Sequence, residues 1–483
     1  MPSIHKESVR DQLDTVKKTF SSLLSEKKVS PEMESLFKMM LMLFELVLSI
    51  FMEKTTKKNS KNSGIPSSQT EKDDTAIGSV GSHKKGKKEC HHTSPNTRTN
   101  TTVVTLPVEV CSGCGDSLKE TACIECERRT KIDIMFEKVV EHTDGEIKQC
   151  PGCHKITKAS FPSDLYGPLQ YGEGLKAYTI HLMVAQMISL NRTQKMITAL
   201  IGETLSESTL LNFILKLHHA LIPWEEKTKA LLLVTPCMNV DETSLRVDNK
   251  NHWIHVYSAG ELTLKCLHRK RGIEAMEAID VIPQYEGVLV HDCWSSYLSY
   301  ESCQHSLCGS HLLRELTFII ESNGYEWAKQ MKVLLKETAK AVSTLPNKIL
   351  KTKDFETFAS AYEDVLTLGE KELPEIPPKP KGKPGKIAKS DAHNLWERLK
   401  KHQVSVTRFA QDPHVPFTNN RAERDLRMSK VKQKVSGCFR TEQYAQAYCR
   451  VSSYLQTMAN KGINPLIAVH RALNSDLDPG GGE

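Results

Sequence analysis

The chain has 483 residues, of which 39% are hydrophobic and 25% charged, with a formal net charge of +7. This length accommodates roughly two to four domains with a sizeable core, and the composition is that of a soluble protein with some disordered length. The mild positive charge favours an acidic partner but is too small to identify one.

The most apolar run of the chain covers residues 36–52. A membrane span requires about 20 residues free of charge, whereas two charged residues interrupt this run. Leu36, Leu43 and Ile50 repeat at heptad spacing, which is typical of helices that associate. We therefore predict that residues 1–53 form an N-terminal helical, coiled-coil-like segment and not a membrane anchor. Packing of this helix on the protein's own core is the alternative.

Residues 54–104 are predicted to be a disordered linker. The part from 54 to 101 contains no aromatic residue and is rich in Lys, Ser, Thr and Asn. Such a segment lacks the apolar surface that a folded core requires.

Six of the fourteen cysteines form three Cys-x-x-Cys pairs within residues 105–160. No apolar signal-peptide core opens the sequence, and clustered pairs in a reducing compartment are typical of metal binding rather than of disulfides. The two outer pairs are predicted to bind one structural Zn²⁺ as a zinc-binding ribbon: Cys111, Cys114, Cys150 and Cys153. Residues 132–140 and 146–148 are candidate strands of this ribbon. The middle pair, Cys123 and Cys126, is left open as a second site or as plain thiols.

Residues 161–235 are predicted to be a helical DNA-binding region. Helical stretches at 192–200 and 206–221, separated by Gly202, resemble a helix-turn-helix. Ordinary helix packing is an equal alternative for this pattern.

A sheet is predicted in residues 236–305, where alternating or short apolar runs replace the helical pattern. The predicted elements are strands at 237–240, 253–258, 262–268, 287–290 and 304–308, with helices at 272–279 and 293–301. This order is that of a ribonuclease H-like α/β sheet, in which Asp241 and Asp292 lie on neighbouring strands. Two carboxylates so placed suit a hard cation such as Mg²⁺.

A helical insertion is predicted over residues 306–411, because a connection of this length is too long for a loop. Its predicted helices cover 311–323, 326–342, 355–368 and 394–410. Residues 412–470 then complete the catalytic domain, with a helix at 443–459, and residues 471–483 form a tail.

The segment from Arg421 to Arg440 contains seven Lys or Arg residues and two acids, Glu423 and Asp425. A basic run usually presents a solvated helix face, but here we predict that the helix brings Glu423 to a phosphate backbone as a third carboxylate. The predicted DNA-binding residues are Arg421, Arg424, Arg427, Lys430, Lys432, Lys434 and Arg440. The alternative is a capping box, in which Glu423 bonds the backbone of Asn420 and takes no part in chemistry.

Four stretches carry a resemblance to a known family: residues 240–247, residues 290–297, residues 308–316 and the basic segment beginning at Val415. They resemble the DDE transposases of the insertion-sequence family numbered sixty-six (the TnpC type), over roughly residues 55–470. The family usually has Gly where Cys293 stands.

This resemblance implies a bacterial, cytoplasmic and nucleoid-associated enzyme that cuts DNA at the inverted-repeat ends of a transposon and joins them to target DNA. Asp241, Asp292 and Glu423 fall on the family's three catalytic, metal-binding positions. Two Mg²⁺ ions, or Mn²⁺ in their place, would activate the nucleophile and stabilise the leaving oxygen. A homo-oligomer and accessory transposition proteins are the further expected partners.

Two other functions stay open at this point: a catalytically inactive DNA end-binding or regulatory protein, and a metal-dependent nuclease that does not join DNA. Cys308 and His311 supply only half of a metal site, so a structural role is favoured for them.

Overall fold

The computed structural model describes residues 6–26, 29–56, 58, 62, 103–134, 136–162, 165–377 and 388–474. The predicted linker 54–104 lies mostly outside the described residues. The described residues fall into two compact units. The first takes in the N-terminal helices, the described residues between 225 and 433, and residues 438–449; the second takes in residues 103–224, 434–437 and 450–474.

The helices are α1 (Lys6–Ser25), α2 (Pro31–Thr55), α3 (Glu173–Ile180), α4 (Leu190–Ile201), α5 (Glu207–Ala220), α6 (Ile222–Leu233), α7 (Ile273–Ile279), α8 (Gly309–Asn323), α9 (Glu326–Thr344), α10 (Thr352–Glu372), α11 (Asp391–Lys401), α12 (Gln403–Thr407), α13 (Asn420–Ser436), α14 (Glu442–Asn460) and α15 (Pro465–Leu473). The strands are β1 (Ile147–Gln149), β2 (Ile156–Lys158), β3 (Cys237–Val247), β4 (Lys250–Ala259), β5 (Leu262–His268), β6 (Val288–His291) and β7 (Gln304–Leu307).

The sheet of the first unit has five strands in the order β5-β4-β3-β6-β7. β3, β4 and β5 pair antiparallel, whereas β6 and β7 run parallel to β3. Asp248 and Asn249 connect β3 to β4 with φ angles of 47° and 56°, the left-handed conformation that a two-residue hairpin turn requires and that Asp and Asn tolerate. The strands alternate their side chains between two apolar cores.

These two cores cover opposite sides of the sheet. Leu289 and Met276 belong to the core that includes α7, while Val290 and Leu316 belong to the core formed with the insertion helices α8 to α12. Adjacent residues of β6 therefore contribute to different cores, which explains why its first three residues, 288–290, are all apolar.

Three sequence expectations are wrong in detail. β3 does not end at Asp241 but continues to Val247, because β4 pairs with it along this whole length. Residues 293–301 form only a 3₁₀ turn at Tyr297–Ser299, since Cys293 has a φ of 70°, which no α-helix accommodates. The helix expected at 394–410 is divided at His402 into α11, α12 and a terminal 3₁₀ turn.

One face of helix α2 packs against α8 and the start of α11 within the first unit. The buried Glu53 carboxylate accepts hydrogen bonds from the Asn323 side chain (2.9 Å) and from the backbone N–H groups of Asp391 (2.5 Å) and Ala392 (3.0 Å). These bonds hold the end of α2 against α8 and the N-terminus of α11. By length and composition, α2 is the one helix among the described residues that is apolar enough to cross a membrane, which alone is weak evidence.

In the second unit, a small hairpin contains the third Cys-x-x-Cys pair. β1 pairs antiparallel with β2, so that Cys150 and Cys153 lie in the connecting turn. The described residues of 132–140 form no strand. The predicted pairing of 132–140 with 146–148 is therefore wrong, and β2 is the partner of β1. α4, the left-handed Gly202 and α5, capped by Ser206, reproduce the predicted helix–turn–helix order.

Candidate active site

Asp241 and Asp292 lie side by side because of the register between two parallel strands. Cys237 pairs with Val288 and Asn239 with Val290, so continuing this register sets Asp241 opposite Asp292. β6 ends at His291, which leaves the Asp292 carboxylate beyond the paired region. The expected proximity of the two aspartates is therefore a direct consequence of the sheet.

The turn after β6 fixes the orientation of Asp292. Its Oδ1 accepts a hydrogen bond from the Trp294 N–H (3.1 Å), and the ring of buried His291 accepts one from the Cys293 N–H (3.1 Å). Cys293 occupies the left-handed region that favours glycine.

Glu423 comes from the first turn of α13, and Asn419 positions the start of that helix. The buried Asn419 side chain donates to the Val240 carbonyl (2.7 Å) and accepts from the Asn239 side chain (2.9 Å). Its backbone N–H donates to Cys308 Sγ (3.1 Å). α13 is thus attached to β3, one residue from Asp241, and to the start of α8. Sequence reasoning missed Asn419; the Asn-Asn pair before the helix is the signal that was available.

Gly309 permits this close approach. A Cβ on Gly309 would lie 2.2 Å from the Phe417 ring, and its N–H donates to the Phe417 carbonyl (2.8 Å). A side chain at this position would therefore push the segment that leads into α13 away from α8.

The carboxylates affect one another electrostatically. Burial raises the pKa of Asp241 well above its ordinary value, and the negative charges of Glu242, Asp292 and Glu423 raise that pKa further. A hydrogen bond from the Glu242 N–H (2.9 Å) offsets part of this effect. Neighbouring carboxylates that disfavour one another's ionised form are a candidate site for a cation.

Glu423 does not form the capping box. Its Oε1 is buried without a hydrogen-bond partner among the described residues. This atom instead faces His311 Nδ1 at 3.7 Å and the Arg314 guanidinium at 3.9 Å. The first turn of α13 therefore presents Glu423 towards α8.

A fourth acid beside Asp241 was missed. Glu242 is buried and accepts hydrogen bonds from Arg271 (2.5 and 2.7 Å) and from the Tyr297 hydroxyl. The Arg271 guanidinium lies over the rings of Trp294 (4.2 Å) and Trp253 (5.0 Å). Burial raises the pKa of Glu242, and the charge of Arg271 opposes that shift. The adjacent acids in Asp241-Glu242 were the available signal, but the partners come from distant turns.

The basic residues of α13 differ in their surroundings. Arg421 pairs with the buried Asp425 (3.0 Å), which also accepts hydrogen bonds from Ser258 and Thr263 (2.8 Å each). This network attaches α13 to β4 and β5, and the contact of Arg421 with DNA stays a prediction.

Other members of the basic set divide by exposure. Lys430 Nζ donates to the Ser244 carbonyl (2.8 Å), and burial lowers the pKa of Lys432 to about 8. The exposed members are Arg424, Arg427, Lys434 and Arg440.

The two outer cysteine pairs form separate turns. The pKa of Cys111 is lowered to about 7 by hydrogen bonds from the backbone N–H groups of Cys114 and Gly113, and that of Cys150 is lowered in the same way. Within the described residues, these cysteines belong to no group of three or more ligand atoms within 4.8 Å of one another. The zinc site stays a prediction.

The family model described as Transposase IS66 family matches residues 168–447, more than half of the chain. No curated protein matches the chain.

Proposed function

The chain belongs to the IS66 family of transposases, and on this premise we propose that it is a DDE transposase that cuts DNA at transposon ends and joins those ends to target DNA. The observation that carries the proposal is the adjacency of Asp241 on β3 and Asp292 at the end of β6. Glu423, in the first turn of α13, lies near enough for its charge to raise the pKa of Asp241, although the oxygens of the three carboxylates do not all lie within 4.8 Å of one another. The strand order and the change from antiparallel to parallel pairing support a ribonuclease H-like catalytic domain.

The three carboxylates fit a hard divalent cation. Their oxygens are the ligands that Mg²⁺ prefers, and Glu423 Oε1 has no hydrogen-bond partner among the described residues. When bound, Mg²⁺ (two ions, or Mn²⁺) would activate the attacking oxygen and stabilise the leaving oxygen. Asp241 and Asp292 would hold the cation at the edge of the sheet, while Glu423 would complete the set from α13.

The exposed basic residues would hold DNA by its phosphates. Arg424 and Arg427 lie one helical turn apart, and Lys434 follows Arg427 after two turns, so these three share a face of α13. Contacts of this kind position a duplex without reading its bases. A structural Zn²⁺ held by Cys111, Cys114, Cys150 and Cys153 is part of the same proposal, supported by the low pKa of Cys111.

The decisive experiment measures cleavage and joining of inverted-repeat ends by the purified full chain with Mg²⁺. Asp241→Asn, Asp292→Asn and Glu423→Gln are each expected to reduce both steps by at least about 10³-fold, or ~4 kcal/mol of transition-state stabilisation, while DNA binding persists. Asp364→Asn is the control, since this exposed acid lies on α10.

Each of the other outcomes would contradict the proposal or indicate a different function. Cleavage that persists in all three variants rejects the assignment of the site. Cleavage without joining by the unaltered chain indicates a metal-dependent nuclease. Binding of the ends with neither step indicates a regulatory end-binding protein.

A further inference from the structure

Cys308, His311 and Glu423 bring together three atoms that commonly bind metals. A thiol sulfur, an imidazole nitrogen and a carboxylate oxygen lie within 4.8 Å of one another, and the described residues contain no other such group. Cys308 is the N-cap residue of α8 and His311 lies in the first turn of that helix. The fold therefore adds a third ligand, from α13, to a Cys-x-x-His motif that is only half a site in the sequence.

Two of the three ligand atoms have no hydrogen-bond partner in the described part of the chain. His311 is 8% exposed, and both its Nδ1 and Glu423 Oε1 are buried without hydrogen bonds. The two atoms are 3.7 Å apart. Ligand atoms of a tetrahedral zinc site lie about 3.3–3.8 Å apart, given the usual metal–ligand distances. A cation bound by His311 Nδ1 and Glu423 Oε1 would remove the free-energy cost of burying these two atoms without hydrogen bonds.

Two features stabilise a thiolate at Cys308, although burial raises the pKa of its thiol above the ordinary value. Its Sγ accepts a hydrogen bond from the Asn419 N–H (3.1 Å), and it stands at the N-terminus of the 15-residue helix α8, where negative charge is stabilised. Arg314 is the opposing feature, because its guanidinium lies 3.9 Å from Glu423 and 3.5 Å from His311 Nε2. A bound cation would displace Arg314 from Glu423.

We propose that Cys308, His311 and Glu423 form a site for a thiophilic divalent cation of the Zn²⁺ class. Sulfur and imidazole ligands select Zn²⁺ or Co²⁺ over Mg²⁺, so this site differs from the all-carboxylate set in the metal that it takes. Glu423 belongs to both sets. If the proposed transposase function is correct, on which this second step rests, Zn²⁺ withholds Glu423 from the Mg²⁺ site and inhibits strand transfer.

The binding test uses Co²⁺ added to the metal-free, reduced full chain, read by thiolate-to-cobalt absorption and by the number of ions retained. Cys308→Ser and His311→Gln are each expected to lose about one ion per chain. Cys303→Ser is the matched control, since Cys303 is also buried and lies just before β7. Cysteines outside the cluster contribute equally to all variants, so the difference between variants reports this site.

Equal cobalt content and equal absorption in Cys308→Ser and Cys303→Ser would overturn the site. Circular dichroism establishes that each variant is folded, and His311→Gln decides the matter if Cys308→Ser is not, because it leaves every cysteine in place.

The inhibition test compares strand transfer in Mg²⁺ with and without added Zn²⁺. The Zn²⁺ concentration for half inhibition is expected to rise about tenfold in Cys308→Ser, or ~1.4 kcal/mol, relative to that variant's own activity without Zn²⁺. An unchanged value would reject the shared role of Glu423. A chain without any strand transfer that still loses one Co²⁺ in Cys308→Ser would reject the proposed function and retain the site.

Discussion

Asp241 is held in an environment that opposes its own ionisation. Its pKa is raised by burial and by three neighbouring carboxylates, so the folded chain binds the proton of Asp241 more tightly than the unfolded chain does. The folded state is therefore increasingly penalised as the pH rises from the ordinary pKa of 3.8 through the raised value. A neutral side chain at this position removes the penalty.

Asp241→Asn is accordingly expected to raise the thermal midpoint at pH 8 without metal, by roughly 2–4 °C for a gain of about 1 kcal/mol. The gain should shrink at acid pH, where Asp241 is protonated. Scanning calorimetry at both pH values in a chelator measures this, with Asp364→Asn as the control. A gain of the same size at both pH values would mean that the charge of Asp241 is not its source.

Arg271 balances the one buried acid that adjoins Asp241. Arg271→Ala leaves Glu242 buried and unpaired, and is expected to cost about 2–4 kcal/mol in the free energy of unfolding, because the remaining charge is desolvated. Arg269→Ala is the matched control: its side chain is 72% exposed and pairs with Glu442 at 2.8 Å, so that change should cost no more than about 1 kcal/mol. Denaturant unfolding measures the free energy of unfolding of both variants. Equal losses would show that the Glu242–Arg271 ion pair does not stabilise the site.

Single residues show where sequence reasoning stops. The expectation that Asp241 and Asp292 are neighbours follows from the order of the strands, and each strand can be predicted from a local run of apolar residues. The partners of Glu242 cannot be predicted from the local sequence, since Arg271 lies in a turn and Tyr297 lies in a segment for which the sequence predicted a helix but which forms only a 3₁₀ turn. The same holds for Cys308 and His311, whose third ligand depends on how the helical insertion returns the chain to the sheet.

At the level of elements, α13 combines attachment and exposure on different faces. Asp425 and Lys430 hold it to the sheet, whereas Arg427 is exposed. The basic pattern alone predicted the helix and its charge, but a count of charges cannot separate the arginine that pairs with Asp425 from those that face solvent. Burial of the acid makes that distinction.

Arg427→Ala is expected to weaken DNA binding uniformly across sequences and to reduce the slope of log affinity against log salt by about 1, the effect of one lost phosphate contact. Lys336→Ala removes the same charge from an exposed position on α9 and should leave the slope unchanged. Fluorescence anisotropy over a salt series measures both. Equal slopes for the two variants would show that net charge, and not this face of α13, binds the DNA.

For the whole molecule, we predict that copies associate through the outer face of α2. Met33, Leu36, Met40, Leu43 and Val47 recur at alternating spacings of three and four residues and are 44–64% exposed. The face that contains Leu46 and Glu53 is packed on the same chain. Packing on the protein's own core, one of the two sequence alternatives, therefore accounts for one face of α2, and self-association stays a prediction for the exposed face. A transposon has two ends, so a dimer would bring one catalytic site to each.

Leu43→Glu places a charge in the middle of this seam and is expected to convert the oligomer into a monomer, because a buried charge in a coiled-coil seam costs several times the contribution of the leucine it replaces, about 2 kcal/mol. Val404→Glu is the control, since Val404 is 66% exposed on α12 and lies outside the seam. Sedimentation equilibrium of both variants distinguishes the cases. If Leu43→Glu and Val404→Glu sediment alike as oligomers, association occurs through another surface; if the unaltered chain is monomeric, α2 does not associate copies without DNA.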